Sequence, residues 1–166
     1  DGGPRPGPSG WGSGAFRRYD ERHGLPNNVV YGILEDGEGR LWLSTNRGLS
    51  RFDPRTETFT HYVHDPDDPR SLSRNGVTTI LDDSAGNLWV GTYRGGLNRL
   101  NTHDGSFERF MHDPANPRSL SSDRVTSLYE DASGYIWVAT EDGGLNRFDR
   151  RNRRFRRFVH DPADRR

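Results

Sequence analysis

Short runs of apolar residues, many of them alternating with polar ones, recur along residues 30–159 and are separated by Gly, Asn and Asp. Runs of about five residues with turn-forming residues between them are typical of β-strands, and no stretch has the period of an amphipathic helix. The pattern predicts first strands at residues 30–35, 77–82 and 125–130, and second strands at 41–45, 88–92 and 136–140. It predicts third strands at 48–52, 96–100 and 144–148, and fourth strands at 59–63, 107–111 and 155–159.

The predicted strands fall into three copies of one sequence, which repeats at intervals of about 48 residues. Residues 36–42, Asp-Gly-Glu-Gly-Arg-Leu-Trp, return in altered form at 83–89 and 131–137, and a His-Asp-Pro sequence follows each fourth strand. Four antiparallel strands within roughly 45 residues form the blade of a β-propeller. The sequence therefore predicts an all-β protein with three four-stranded antiparallel blades, at residues 28–64, 75–112 and 123–160.

Three blades make only part of a ring, because propellers have roughly four to eight. Residues 16–19, Phe-Arg-Arg-Tyr, resemble the fourth strands, so residues 15–20 are predicted to be a lone N-terminal strand that closes another blade. Residues 1–14, rich in Gly and Pro, are predicted to be a disordered linker, and residues 161–166 a truncated loop. We interpret the chain as the opening arc of a longer propeller, with the remaining blades or further copies of itself as partners.

The composition narrows the range of partners. Aromatic residues make up 11% of the sequence and hydrophobic residues only 30%, so large rings at constant positions are expected to supply the core. The net charge is zero, which indicates no nucleic-acid partner. The absence of cysteine excludes disulfides and thiolate metal sites, and no apolar run reaches the roughly 20 residues that cross a membrane. No motif predicts a cofactor.

The repeated core resembles the two-component regulator propeller repeat, in which an Asp-x-x-Gly turn precedes Leu-Trp or Ile-Trp, and Gly-Gly-Leu leads to Arg and an aromatic residue. Residues 83–100 and 131–148 match this pattern, and the Ser-Leu pairs at 71–72 and 119–120 precede the next first strands. The first blade departs from it, with Ser44 in place of Gly or Ala and one Gly missing before Leu49.

The resemblance implies the N-terminal part of an extracytoplasmic sensory propeller in a two-component protein of the histidine kinase type. It implies a periplasmic or extracellular location in a bacterial inner-membrane protein, whose membrane segment and kinase or cyclase output lie outside this sequence. On this interpretation the chain itself is not an enzyme. The resemblance also implies that the signal is a ligand, with saccharides as candidates.

Residues that differ between blades at otherwise constant positions are candidates for ligand binding, because the blade does not require them. Such positions lie between second and third strands and directly before first strands, which share one face near the channel mouth of a propeller. Their side chains suit hydroxyl-rich or anionic ligands. The candidates are Asn28, Asn46, Arg47, Asn75, Tyr93, Arg94, Asp123, Arg124, Glu141 and Asp142. Ordinary loop variation is the alternative explanation.

Residues constant in all copies are interpreted as scaffold. His64, His112 and His160 each follow an outer strand and diverge, which favours a local cap and predicts no metal site. The Asp-x-x-Gly turns hold too few carboxylates for calcium, and the repeated tryptophans are expected to pack between blades.

Two other functions stay open. One is a free-standing three-blade module that oligomerises into a lectin-like ring, and the other is a propeller enzyme, for which no acid and base residues converge. The Arg-rich stretch at residues 147–157 is interpreted as charge on an edge strand, with an anionic partner as the alternative.

Overall fold

Three antiparallel sheets of four strands each make up the computed structural model, which describes residues 16–158. Blade 1 contains β1 (Val30–Glu35), β2 (Leu41–Thr45), β3 (Gly48–Asp53) and β4 (Thr58–Tyr62). Blade 2 contains β5 (Val77–Asp82), β6 (Leu88–Thr92), β7 (Gly96–Leu100) and β8 (Phe107–Phe110). Blade 3 contains β9 (Val125–Glu130), β10 (Ile136–Thr140), β11 (Leu145–Asp149) and β12 (Arg154–Phe158). One turn of 3-10 helix, Glu21–His23, precedes β1.

Within each blade the strands are hydrogen-bonded in chain order, so every connection joins neighbouring strands. This arrangement confirms the predicted fold class of three four-stranded antiparallel blades. The predicted strand bounds agree with the described residues to within one position at each end. The predictions that fall on residues 1–15 and 159–166, including the linker, the truncated loop and the cap at His160, lie outside the described residues.

The first strand of each blade lies beside the first strand of the next, which places β5 between β1 and β9. A β-bulge between Val77 and Thr79 interrupts the pairing of β5 with β6. The Oγ1 of Thr78, inside this bulge, lies 2.7 Å from the carbonyl oxygen of Val125 in blade 3 and 3.1 Å from that of Gly91. The first strands are therefore the inner strands, and β4, β8 and β12 are the outer ones, as in a propeller.

The hydrophobic core lies between blades, because the sheet of each blade presents apolar side chains on both of its faces. The face of blade 1 that carries Trp42 packs on Val90 and Leu100 of blade 2. The face of blade 2 that carries Trp89 packs in the same way on blade 3, against Phe148. Trp42 and Trp89 are 3% and 1% exposed, which confirms that these tryptophans belong to the core between blades.

Blade 3 repeats the tryptophan-bearing face, but no other blade among the described residues covers it. Leu145 is 39% exposed there, whereas its equivalent Leu97 is fully buried between blades 2 and 3. Tyr129 is 64% exposed and lines a hollow of about 330 Å³ together with Trp137. An apolar face of this kind in a repeat protein requires a neighbour.

The free face of blade 1 is covered in part by the segment that precedes the 3-10 helix. The ring of Tyr19 packs on Phe52 and Phe59, with centroid separations of 4.8 and 6.3 Å. Arg17 forms an ion pair with Glu57 in the turn between β3 and β4. These contacts hold residues 16–20 against the sheet of blade 1.

The same aromatic contact occurs between blades 2 and 3, where Phe110 of β8 lies 4.9 Å from Phe148 and 6.3 Å from Phe155. Tyr19 therefore stands where the outer strand of a preceding blade would place its aromatic residue. The predicted strand at residues 15–20 is not observed, since residues 16–20 have no strand pairing in the structure. A strand needs a neighbour, and no described blade offers one at this place. The closing role of the segment stays a prediction.

Candidate ligand-binding face

The constant Asp and Trp of each repeat form one structural unit. In blade 2, Asp83 Oδ1 accepts two backbone N–H groups of the turn, both at 2.9 Å, and Oδ2 accepts the Nε1–H of Trp89 at 2.7 Å. Asp36 and Asp131 accept the indole N–H of their own tryptophans at 2.9 and 2.7 Å. These three residues, the turn aspartates, are scaffold as predicted.

The hydrogen bonds of the turn aspartates also set their ionisation. Burial alone would raise the pKa of Asp83, but hydrogen bonds from Trp89 and from the turn outweigh it and hold the pKa below its usual value. The same opposition lowers the pKa of Asp36. For Asp131 the hydrogen bond from its tryptophan is the largest cause of a lowered pKa. All three are therefore ionised acceptors at neutral pH.

Two of the repeated histidines are local caps. Nδ1 of His64 and of His112 lies 2.8 Å from the carbonyl oxygens of Leu72 and Leu120, respectively. Within residues 16–158, no group of three His, Asp or Glu side chains is arranged to hold a metal ion. The interpretation of these histidines as caps is confirmed.

Three of the candidate ligand residues also have a structural task. Asn75 Oδ1 accepts the backbone N–H of His64 at 2.7 Å, and Asp123 Oδ1 accepts that of His112 at 2.6 Å. Asn28 Oδ1 accepts the first backbone N–H of the 3-10 helix at 3.2 Å. The variation at this position is thus only between Asn and Asp, and both offer the same acceptor oxygen. The restriction to Asn and Asp is the sign in the sequence that this position has a structural role. The candidate ligand-binding site is therefore limited to the other seven candidate residues.

The remaining candidates of blades 2 and 3 lie together. An isolated β-bridge pairs Tyr93 with Arg124 across the two blades, and the Arg124 guanidinium lies 5.7 Å from the centre of the Tyr93 ring. The same guanidinium lies 3.6 Å from the carboxylates of Glu141 and of Asp142. The Arg94 guanidinium lies 5.2 Å from the Tyr93 ring centre. We call these five residues the mouth cluster.

Backbone contacts hold the mouth cluster in place. The N–H of Glu141 donates to the carbonyl oxygen of Arg124 at 2.9 Å, and the N–H of Tyr93 donates to that of Gly76 at 2.7 Å. The two sets of loops therefore share one face, as the repeat pattern suggested. Arg94 has φ of 67°, a left-handed conformation that costs a non-glycine residue about 1 kcal/mol or more. This conformation belongs to the turn between β6 and β7 and fixes the position of Arg94 beside Tyr93.

The blade 1 candidates form a separate group. Asn46 Oδ1 accepts the hydroxyl of Tyr31 at 2.9 Å, and Arg47 is exposed beside it. Neither candidate forms a side-chain hydrogen bond or ion pair with the mouth cluster among the described residues. Tyr31, 55% exposed, sits in a bulge of β1 equivalent to the one that holds Thr78. No sequence pattern distinguishes Tyr31, because a bulge is visible only in the strand register.

The mouth cluster combines one aromatic ring, two guanidinium groups and two carboxylates. Tyr93 is 44% exposed, so part of its ring is free for contact. Guanidinium donors and carboxylate acceptors around an aromatic face suit a ligand that has both hydroxyl groups and an apolar side.

A family profile described as "Two component regulator propeller" matches residues 24–47, 71–94 and 119–142, once in each blade. The chain contains three two-component regulator propeller repeats. Each match in this propeller runs from the loop before the first strand, through the turn aspartate and tryptophan, into the loop after the second strand. The family pattern therefore includes the scaffold and reaches the candidate loops.

Solved structures share the fold. The extracellular domain of BT3049 from B. thetaiotaomicron, described as a hybrid two component system, has a TM-score of 0.80 and 28% identity, over 86% of this chain and 20% of that one. The extracellular domain of BT4673 from the same organism, described as a one component system, has a TM-score of 0.69 and 25% identity, over 84% and 19%. Virginiamycin B lyase from Staphylococcus aureus has a TM-score of 0.61 and 16% identity, over 82% of this chain and 43% of the lyase chain. At this level of identity the similarity shows the fold alone.

This propeller arc spans about a fifth of the length of the two extracellular domains that it resembles. A search of curated proteins finds no match. No helix within residues 16–158 is long and apolar enough to cross a membrane. Family and fold together support the role of a sensory propeller.

Proposed function

We propose that the chain is an arc of an extracytoplasmic sensory β-propeller in a two-component signalling protein of the histidine kinase type. The mouth cluster is its ligand contact, saccharides are the ligand class, and the periplasm is the location. The observation that carries the proposal is the convergence of variable loops from two family repeats, where Tyr93 and Arg124 meet across the boundary between blades.

The position of the mouth cluster suits a sensor. Tyr93 directly follows β6, and Arg124 directly precedes the inner strand β9. A ligand that stacks on Tyr93 and bonds to Arg124 therefore contacts both blades at once. Binding at this place can change how blades 2 and 3 pack, which is one way for a ring to relay occupancy to an output module elsewhere in the protein.

The free-standing oligomeric module is less well supported. In a ring made of several copies, β12 of one copy would pack on blade 1 of the next, and its Phe158 would take the place of Tyr19. Docking would therefore displace Tyr19 from Phe52 and Phe59. A final blade that lacks its own outer strand meets no such obstacle, which favours further blades from the same protein.

The proposal is tested by ligand binding to the complete protein. Tyr93→Ala and Arg94→Ala should each weaken the binding of a neutral disaccharide by about tenfold, because each removes a stacking or charged hydrogen-bonding contact. Isothermal titration calorimetry with a panel of neutral and acidic disaccharides measures the affinity.

Arg118→Ala is the matched control, since Arg118 is an exposed arginine on an outer loop, away from the mouth cluster. Its affinity for the same disaccharides should equal that of the unmodified protein. Unchanged affinity in Tyr93→Ala and Arg94→Ala would exclude the mouth cluster as the ligand contact. If the unmodified protein binds no disaccharide of the panel, the proposed ligand class is wrong.

A further inference from the structure

Charged residues pair across the outer rim of the blades. At the boundary of blades 2 and 3, Glu108 of the outer strand β8 forms an ion pair with Arg153, in the turn between β11 and β12. Arg99 of β7 lies opposite Glu108 in the sheet, with its Nη2 2.9 Å from Glu108 Oε2. The carboxylate of Glu108 is thus shared by one arginine from each blade.

The free side of blade 1 has the same pair with both charges reversed. Arg17 occupies the place of Glu108, and Glu57 occupies the place of Arg153, with Arg17 Nη2 2.5 Å from Glu57 Oε2. Glu57 and Arg153 both take left-handed φ values, 57° and 58°, which marks them as equivalent turn residues.

The boundary between blades 1 and 2 lacks the pair altogether. Its two positions hold Thr60, on the outer strand of blade 1, and Gly105, in the turn of blade 2. Arg51 contacts the Thr60 hydroxyl at 3.4 Å instead. In each of the three cases, the residue of the outer strand and the turn residue that faces it are complementary: basic with acidic, neutral with neutral, and acidic with basic.

The open edge of blade 3 breaks this pattern. Arg156 of β12 holds the position of Glu108, and it lies directly opposite Arg147 of β11 in the sheet. Like charges that face each other across two strands destabilise a sheet. Among residues 16–158, neither arginine forms an ion pair with a carboxylate, and Arg147 instead lies 4.2 Å from the ring centre of Tyr135. Within the described residues, two arginines without an ion-pair partner therefore lie on the two outermost strands of the blade whose apolar face requires a neighbour.

We infer that the occupant of this face is a further blade of the same polypeptide, and that it carries Asp or Glu at the left-handed residue of its third-to-fourth-strand turn. This carboxylate contacts Arg156 in the way that Arg153 contacts Glu108, and it compensates Arg147 at the same time. The inference rests on the part of the proposed function that continues the ring beyond blade 3, and it does not depend on ligand binding.

A second copy of the chain fits less well. Its Glu57 has the required charge and position, but Arg17 already holds that carboxylate. Tyr19 of the second copy also fills the adjoining aromatic site on blade 1. Charge complementarity and the packing of Tyr19 together favour a blade in cis.

The test is a double-mutant cycle in the complete protein, read by hydrogen–deuterium exchange of the β12 amides. Arg156→Glu opposes the turn acid of the following blade but gains a pairing with Arg147, so the coupling between the two positions is the readout rather than the single loss. Arg156→Glu combined with an acid→Arg change at that turn residue should give about threefold to fivefold more protection of β12 than the two single effects predict together. Arg156→Gln, which removes the charge without reversal, should show a smaller coupling, and 1 M salt should reduce all of these effects.

The boundary of blades 2 and 3 supplies a matched control, because the swap of Glu108→Arg with Arg153→Glu should show a coupling of the same sign. A non-acidic residue at the turn position, or losses that simply add in the double variant, would overturn the inference. Rescue by Glu57→Arg, together with protection that depends on protein concentration, would identify a second copy as the occupant and overturn it as well. If the complete protein binds no disaccharide but the double-mutant cycle gives the expected coupling, only the proposed ligand is wrong and the inference about the following blade stands.

Discussion

Asp83→Ala removes an acceptor on which a turn, a core tryptophan and a contact between blades all depend. Asp83 Oδ2 accepts the Nε1–H of Trp89 at 2.7 Å and an N–H of Arg150, in blade 3, at 2.7 Å. Oδ1 accepts two backbone N–H groups of the turn at 2.9 Å each. Asp83 is 5% exposed and Trp89 is 1% exposed, so water cannot readily replace the carboxylate.

The stability lost in Asp83→Ala depends on whether each hydrogen-bond donor finds another acceptor. A buried indole N–H without an acceptor costs about 1–3 kcal/mol, and the charged hydrogen bond to Arg150 contributes about 1 kcal/mol more. The turn N–H groups can reach solvent and add little. We expect the free energy of local opening in blade 2 to fall by about 3 kcal/mol, which corresponds to about a hundredfold loss of amide protection. Asp83→Asn should lose about half as much, because its amide keeps one acceptor oxygen where the native carboxylate uses two.

Hydrogen–deuterium exchange of β6 in the complete protein measures this loss, because it reports local opening without requiring unfolding of the whole ring. Trp89→Phe keeps a ring in the core but removes the N–H donor. In that background Asp83→Ala should cost about 1–2 kcal/mol less, since no indole N–H is left unpaired. An equal loss in both backgrounds, or a loss below about 1 kcal/mol in the native one, would refute the assignment of the carboxylate as the partner that holds the tryptophan.

Three further predictions concern acid stability and the segments that join the blades. The pKa values of the turn aspartates are lower in the folded state than in the unfolded state, so their contribution to stability is complete above about pH 4 and is lost as pH falls through the folded-state values. Acid titration followed by near-ultraviolet circular dichroism should therefore show unfolding in that acidic range. The transition should be less steep in Asp83→Asn, which has one titrating carboxylate fewer. Tyr19→Ala should speed amide exchange in residues 19–25 by about tenfold or more, whereas Tyr19→Phe should be neutral, because Phe110 fills the equivalent site without a hydroxyl. Asn75→Ala should cost about 1 kcal/mol in the protection of the His64 amide and Asn75→Asp should not, because Asp123 makes the same bond in the next blade; equal losses in both variants would contradict the cap.

Much of the scaffold could be predicted because its determinants are local and occur three times. Turn aspartates, the tryptophans that follow them and the histidines after the outer strands keep their residue types and spacing in each copy. The sequence predicts Asn75 and Asp123 as ligand residues because their residue types differ between blades. In the structure, however, the side-chain oxygen of either residue accepts the same backbone hydrogen bond. Comparison by residue type cannot detect a role that two residue types perform equally well.

The sequence by itself determined where the strands and turns lie, because alternation of apolar residues and the chemistry of Asp and Gly in turns act over a few positions. It also determined the repeat and thereby the blade. Only the tertiary structure decided which side chains meet between blades: Tyr93 with Arg124, Glu108 with Arg153, and Tyr19 with Phe52. These partners are some 30 to 45 residues apart in the chain, and their meeting depends on how one twisted sheet stacks on the next, which no local pattern records.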